Sequence, residues 1–254
     1  MLEIRGLTKY YRNIPVVNDV SFTLQPGEVT GYLGPNGSGK STTVKIVTAL
    51  IEPSAGKVLL DGRDVRDDLI AFKRRLGYVP EEAILYSYLT GLEYLELMGC
   101  LHGMPPREVE RKANDLLELF QLHSSRHAPI SAYSKGMKQR ILISAALLHD
   151  PDVLILDEPL SGIDVTSALL FKHLLGELAR RGKTILYISH VLEVVEKVCA
   201  QVVIIYRGRI MAADSVERLR DLMQVPSLEE IFSQLVEHRD LESVARDIAC
   251  AIER

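Results

Sequence analysis

One run of residues constrains this chain more than any other: Gly34-Pro35-Asn36-Gly37-Ser38-Gly39-Lys40-Ser41-Thr42, a complete G-x-x-x-x-G-K-[ST] phosphate loop. The apolar run Val29-Thr30-Gly31-Tyr32-Leu33 before it reads as a buried strand, and Ser41 to about Leu50 reads as a helix. The loop is therefore a strand-to-helix connection, and the chain is predicted to be an α/β protein of the P-loop NTPase kind. A polyphosphate needs several donors converging on it, and few backbones can approach closely enough. Gly34, Gly37 and Gly39 lack Cβ atoms, so the chain can take positive-φ conformations and turn N–H groups inward as an anion-binding nest. The helix opening near Lys40 adds its positive dipole end, Lys40 can reach the β and γ phosphates, and the Ser41 hydroxyl is placed to ligate Mg²⁺. The whole run, with Pro35, Asn36, Ser38 and Thr42, is assigned to a nucleoside triphosphate.

Composition sets the frame for that motif. With 254 residues and 47% hydrophobic content, the chain can build a sizeable core. Its net charge of −4 gives no broad basic surface of the kind nucleic acid requires. Cys100, Cys199 and Cys250 are far apart and form no C-x-x-C pair, which fits a reducing compartment and neither zinc nor a disulfide framework. No apolar run approaches the roughly 18 to 20 residues that cross a bilayer. The opening Met1-Leu2-Glu3-Ile4-Arg5 lacks a signal peptide's apolar core. Any membrane role then needs a separate spanning partner.

Along the chain the pattern changes period. Leu2 and Ile4, then Val20, Phe22 and Leu24, alternate with polar residues as half-buried antiparallel strands do. Lys57–Leu60 and Leu76–Val79 read as further strands. From Glu82 to His149 the spacing becomes helical. Thr90 and Glu93 form a capping box, Pro105-Pro106 opens a second helix with the stripe Ala113, Leu116, Leu117 and Phe120, and a third runs from Lys135 to Leu148. Strand and helix then alternate as in a parallel sheet, with strands at Val153–Leu156 and Thr184–Ser189 and helices at Val165–Arg181 and Val191–Cys199. A hairpin follows at Gln201–Ala212, then short helices, and a last amphipathic segment carrying Leu241, Val244, Ala245, Ile248 and Ile252 on one face. The predicted division is a nucleotide-binding α/β core with an N-terminal antiparallel subdomain (1–81 and 150–213), an inserted helical subdomain (82–149) and a C-terminal helical extension (214–254). The basic runs Lys73-Arg74-Arg75 and Arg180-Arg181 read as exposed faces.

Val153-Leu154-Ile155-Leu156-Asp157-Glu158 is an apolar strand ending in two carboxylates. A buried parallel strand delivers both to the carboxyl edge of the sheet, where ligands of such folds collect. Asp157 suits Mg²⁺; Glu158 suits a general base or water-orienting group beside the γ phosphate.

Tyr133-Ser134-Lys135-Gly136-Met137-Lys138-Gln139-Arg140, set before that strand, resembles the signature of the ATP-binding cassette (ABC) family, Leu-Ser-Gly-Gly-Gln. Ser134 and Gly136 match; Tyr133, Lys135 and Met137 depart. The resemblance spans nearly the whole chain. It implies that the signature of one subunit closes on the nucleotide held by the phosphate loop of another, so that Ser134 and the Gly136 amide donate to the γ phosphate of a partner. Ser161-Gly162-Ile163-Asp164 resembles the family's D-loop, and His190 in Ile188-Ser189-His190 its switch histidine, joining Glu158 and Lys40 as the catalytic set. Tyr11, in Thr8-Lys9-Tyr10-Tyr11, is similar to the aromatic that stacks on adenine. Gly77-Tyr78-Val79-Pro80-Glu81 resembles the Q-loop with Glu81 in place of glutamine. A carboxylate only accepts hydrogen bonds, so Glu81 is expected on the metal side with Ser41 and Asp157.

The resemblance implies an ATP-hydrolysing subunit of an ABC transporter that uses ATP and Mg²⁺. Its expected partners are a transmembrane permease subunit and a second ATP-binding subunit, identical or closely related, at the cytoplasmic face of the cell membrane. Glu81 with the Tyr-Ser-Lys-Gly-Met signature looks like the exporter branch. The alternative is a soluble ABC-type ATPase acting on nucleic acid or ribosomes; the acidic balance and the lack of a visible coiled coil, zinc insertion or tandem cassette speak against it.

Overall fold

The computed structural model describes residues 1–161, 164–225 and 227–236. Its centre is a six-stranded sheet of order β10-β9-β3-β8-β7-β6, built from β3 (Val29–Leu33), β6 (Leu76–Val79), β7 (Val153–Asp157), β8 (Thr184–Ile188), β9 (Gln201–Tyr206) and β10 (Arg209–Ser215). Five of these run parallel, and β10 returns antiparallel to β9 through the Arg207-Gly208 turn. The parallel strands are apolar on both faces because both are covered. Val153 and Ile155 of β7 point to one core while Leu154 and Leu156 point to the other.

The first core lies between this sheet and an antiparallel sheet of order β2-β1-β4-β5, formed by β1 (Leu2–Tyr11), β2 (Ile14–Leu24), β4 (Ala55–Leu60) and β5 (Arg63–Asp64). The alternation seen in the sequence is its inner face. Leu2 pairs with both Leu24 and Leu60, and all three are buried. Helix α1 (Lys40–Val47) sends Val44, Ile46 and Val47 into the same core. Helix α2 (Leu69–Arg74), which the sequence reading did not include, starts where Asp68 accepts from the Ala71 amide at 2.9 Å. It buries Phe72.

The second core joins the opposite face of the sheet to α3 (Gly91–Leu101), α4 (Pro106–Leu119), α5 (Lys135–Leu147), α6 (Val165–Arg180), α7 (Leu192–Val198), α8 (Val216–Met223) and α9 (Leu228–Val236). The Thr90–Glu93 capping box is present with both reciprocal bonds. Ala113, Leu117 and Phe120 of the predicted stripe are buried, and Leu116 is half-buried. Lys73, Arg74 and Arg75 are exposed as read, and Arg75 is also paired. Its guanidinium bonds Asp61 at 2.8 Å and Asp152 at 2.5 Å, tying the β4–β5 turn to the residue before β7. Among the described residues no helix is long and apolar enough to cross a membrane. The amphipathic segment from Leu241 to Ile252 and two of the D-loop residues, Gly162 and Ile163, lie outside the described residues.

Candidate functional site

The carboxyl ends of β3, β7 and β8 open into a cavity of about 500 Å³. Its lining includes Gly34, Pro35, Asn36, Gly37, Gly39, Lys40, Ser41, Thr42, Glu81, Asp157, Glu158 and His190, so residues distant in sequence meet as the motifs required. The glycines serve different ends. Gly37 and Gly39 take φ of +78° and +105°, the left-handed region predicted for the nest. Gly34 does not; there a Cβ would stand 2.3 Å from the Ile205 carbonyl and 2.5 Å from Ser38 Oγ, so close packing excludes any side chain.

Several bonds fix the start of α1. Thr43 Oγ1 donates to the Gly39 carbonyl at 3.1 Å and accepts from the buried Tyr32 hydroxyl at 3.2 Å. Ser38 lies under the loop, and its buried Oγ has no partner among the described residues. Lys40 Nζ donates to the Gly34 and Pro35 carbonyls at 2.6 and 3.1 Å, arching over the loop. Burial pulls its pKa down, and the negative charges of Glu158, Asp157 and Glu81 work against that.

Asp157 is almost fully buried, and its pKa is pushed up to about 6, first by burial and then by repulsion from Glu81 and Glu158. Three carboxylates around one cavity, one of them reluctant to ionise, form a donor set that a divalent cation would relieve. The Ser41 hydroxyl adds a further hard oxygen, so these residues fit Mg²⁺. Among the described residues no group of three or more His, Cys, Asp or Glu is arranged to hold a metal alone. Phosphate oxygens and water would therefore have to complete the coordination shell.

Glu158 is the most constrained residue of the site. Its backbone sits at φ +46°, costly for a residue with a Cβ, and its amide donates to the Ile188 carbonyl at 3.0 Å, fastening it to the end of β8. Its Oε1 accepts from the His190 amide at 2.8 Å and meets the His190 ring Nδ1 at 2.7 Å, while Ser189 Oγ donates to Oε2 at 3.2 Å. The carboxylate and the imidazole act as one unit at the cavity wall, and because a carboxylate only accepts, Nδ1 carries the proton.

Other expected site residues lie elsewhere. Tyr11 ends β1 with its ring 45% exposed, outside the cavity lining, and Lys9 Nζ stands 5.7 Å from the ring centroid. Ser134 and Gly136 also lie outside the lining. Ser134 caps α5 by accepting from the Met137 amide at 3.2 Å, and the neighbouring Lys135 Nζ donates to Ser161 Oγ at 2.9 Å. Tyr133 is buried and donates to the Ser125 carbonyl at 2.7 Å. The lining also brings in Val16, Ser189, Leu192 and Phe232, which sequence reasoning did not assign to the site. Ser189 could have been found beside His190; Val16 and Phe232 arrive only through long-range packing.

A family model described as "ABC transporter" matches residues 17–161. "ABC transporter ATP-binding protein NatA" of Bacillus subtilis (strain 168) is 36% identical over 225 residues, covering 88% of this chain and 92% of that one. "Linearmycin resistance ATP-binding protein LnrL" of the same organism is 37% identical over 212 residues, covering 84% of this chain and 68% of that one. The ATP-binding cassette MJ0796, solved as a dimer in a post-hydrolysis state bound to ADP and Pi, superimposes with a TM-score of 0.78 at 26% identity, covering 85% of this chain and 98% of that one.

Proposed function

Because the chain belongs to the ABC transporter family as an ATP-binding subunit that hydrolyses ATP, we propose that two copies, or one copy and a close relative, close head to tail around two nucleotides to drive export. The observation that carries this reading is the separation within one chain of two halves of a single donor set. The phosphate loop, Asp157, Glu158 and His190 share the cavity, whereas Ser134 and Gly136, at the positive end of α5, lie outside it. An N-terminal helix end with a hydroxyl and a glycine amide suits the γ phosphate of a partner's nucleotide. That MJ0796 is dimeric supports the association of two copies.

Within each copy, the loop amides and Lys40 hold the β and γ phosphates, and Tyr11 is assigned to stacking on the adenine. Ser41, Asp157 and Glu81 would hold Mg²⁺, which screens the phosphate charge and offsets the carboxylate repulsion. Glu158 orients and deprotonates the attacking water, and His190, donating from Nδ1 to that carboxylate, keeps it aimed and registers the loss of the γ phosphate. Hydrolysis removes the bridge between the two copies, so affinity between subunits is itself the switched quantity.

A transmembrane permease is the expected second partner, met on its cytoplasmic side by the loop from Glu82 to Tyr88, where Ile84 is 83% and Tyr88 75% exposed. Placement at the cytoplasmic face of the membrane follows from that contact. Export as the direction of transport is supported by the Glu81 and Tyr-Ser-Lys-Gly-Met pattern and by the resistance function in LnrL's name. Glu158→Gln tests the core of the reading. It is expected to bind ATP, to lose at least about a hundred-fold in phosphate release, and to elute as an ATP-dependent dimer on size exclusion. A monomeric variant with undiminished turnover would refute it.

A further inference from the structure

Two apolar side chains in the cavity wall, Leu192 and Phe232, take no part in the phosphate chemistry. Leu192 opens α7, two residues after His190, and Phe232 lies in α9 of the C-terminal extension. The position of α9 is set by packing: Leu228 and Ile231 are fully buried in the helical core, and Phe232 and Leu235 pack against it half-buried. The helix rests on α7 and α8, and an ion pair between Arg220 of α8 and Glu196 of α7 ties the extension to the element that carries the His190 loop.

His190 itself has little else to hold it. Its side chain is 75% exposed, and among the described residues its ring bonds the Glu158 carboxylate. We infer that α9 completes the hydrolytic side of the nucleotide site: Phe232 is a positioning residue which, with Leu192, forms the apolar part of the cavity wall and, through the packing of α9 on α7, steadies the Glu158–His190 pair. The inference rests on reading that pair as the hydrolytic one.

The test uses full-length Phe232→Ala and Phe232→Leu, with steady-state phosphate release measured over a range of Mg·ATP and ATP binding measured separately in a Glu158→Gln background. The expected result is a kcat reduced about ten-fold in Phe232→Ala, KM changed by less than about two-fold, and most of kcat restored in Phe232→Leu. ATP binding in the Glu158→Gln background is expected to survive Phe232→Ala. A folded Phe232→Ala with unchanged kcat overturns the inference, as does a higher kcat, which would make α9 an obstruction. Loss of ATP binding in both Phe232 variants also overturns it, since the residue would then serve binding or folding. Full turnover in Glu158→Gln alone would instead remove the parent reading, and this inference with it.

Discussion

At the scale of single residues, Asp157 and His149 couple stability to pH in opposite directions. Asp157 holds its proton up to about pH 6 in the folded chain against 3.8 in a free carboxyl, so raising the pH through that window costs stability on the order of 3 kcal/mol. His149 is the mirror case. Its Nε2 donates to the Leu76 carbonyl at 3.0 Å, its Nδ1 is buried without a partner among the described residues, and burial lowers its pKa from 6.5 to about 4. Folding releases its proton, so raising the pH from about 4 to 6.5 adds a comparable amount. In thermal denaturation from pH 4.5 to 6.5 without nucleotide, Asp157→Asn is expected to gain midpoint with pH more steeply than the parent chain. His149→Gln, whose amide can still donate, should lose midpoint over the same range. Unchanged slopes in both would rule out burial as the cause. That Lys40, Asp157 and Glu158 would meet at one sheet edge was legible in sequence because the phosphate loop and the strand-end carboxylates depend on local spacing. The +46° φ of Glu158 and its bonds to His190 were not, since they arise where β7 and β8 meet, 32 residues apart in the chain.

At the scale of elements, the helices with explicit ends were readable and the short one was not. α3 carries a capping box, α4 opens on proline, and both form where those signals stand. α2 has six residues, too few to display a helical period, and only Asp68 as its cap marks it in sequence. Capping also separates the structural role of Ser134 from the one proposed for it. Its Oγ accepts from the Met137 amide, a structural duty that Asp performs as well, whereas a carboxylate facing a partner's γ phosphate would repel it. Ser134→Asp should therefore keep the parent's stability within about 0.5 kcal/mol in urea denaturation, while Ser134→Ala loses about 1 kcal/mol. ATPase activity should fall at least about ten-fold in the Asp variant despite its intact cap. Full activity in a stable Ser134→Asp chain would leave the signature as a cap and nothing more.

At the scale of the whole molecule, two sheets and a helical layer bring the phosphate loop, the carboxylates and His190 to one cavity while holding Ser134 and Gly136 at the head of α5, away from it. The order of elements was visible in the sequence, because alternating strands and helices imply a parallel sheet. The contribution of α9 to the cavity wall was not, since nothing local in Phe232 announces that it shares a cavity with a loop some 40 residues earlier. If each hydrolytic centre draws its phosphate loop from one copy and its signature from another, two defective chains should repair each other. Lys40→Ala keeps a working signature, and Ser134→Asp keeps a working phosphate loop. A mixed pair has one centre made of both intact halves and one made of both defective halves. With equal mixing and random pairing, half of the pairs are mixed, so activity should recover to about a quarter of the parent chain's. The recovered rate, like the parent's, should rise with the square of total protein concentration while most chains are single, because the centre forms only on association. Two variants that are inactive apart and stay inactive together, though folded and able to associate, would mean that each chain assembles its own complete centre, and the head-to-tail arrangement would have to be abandoned.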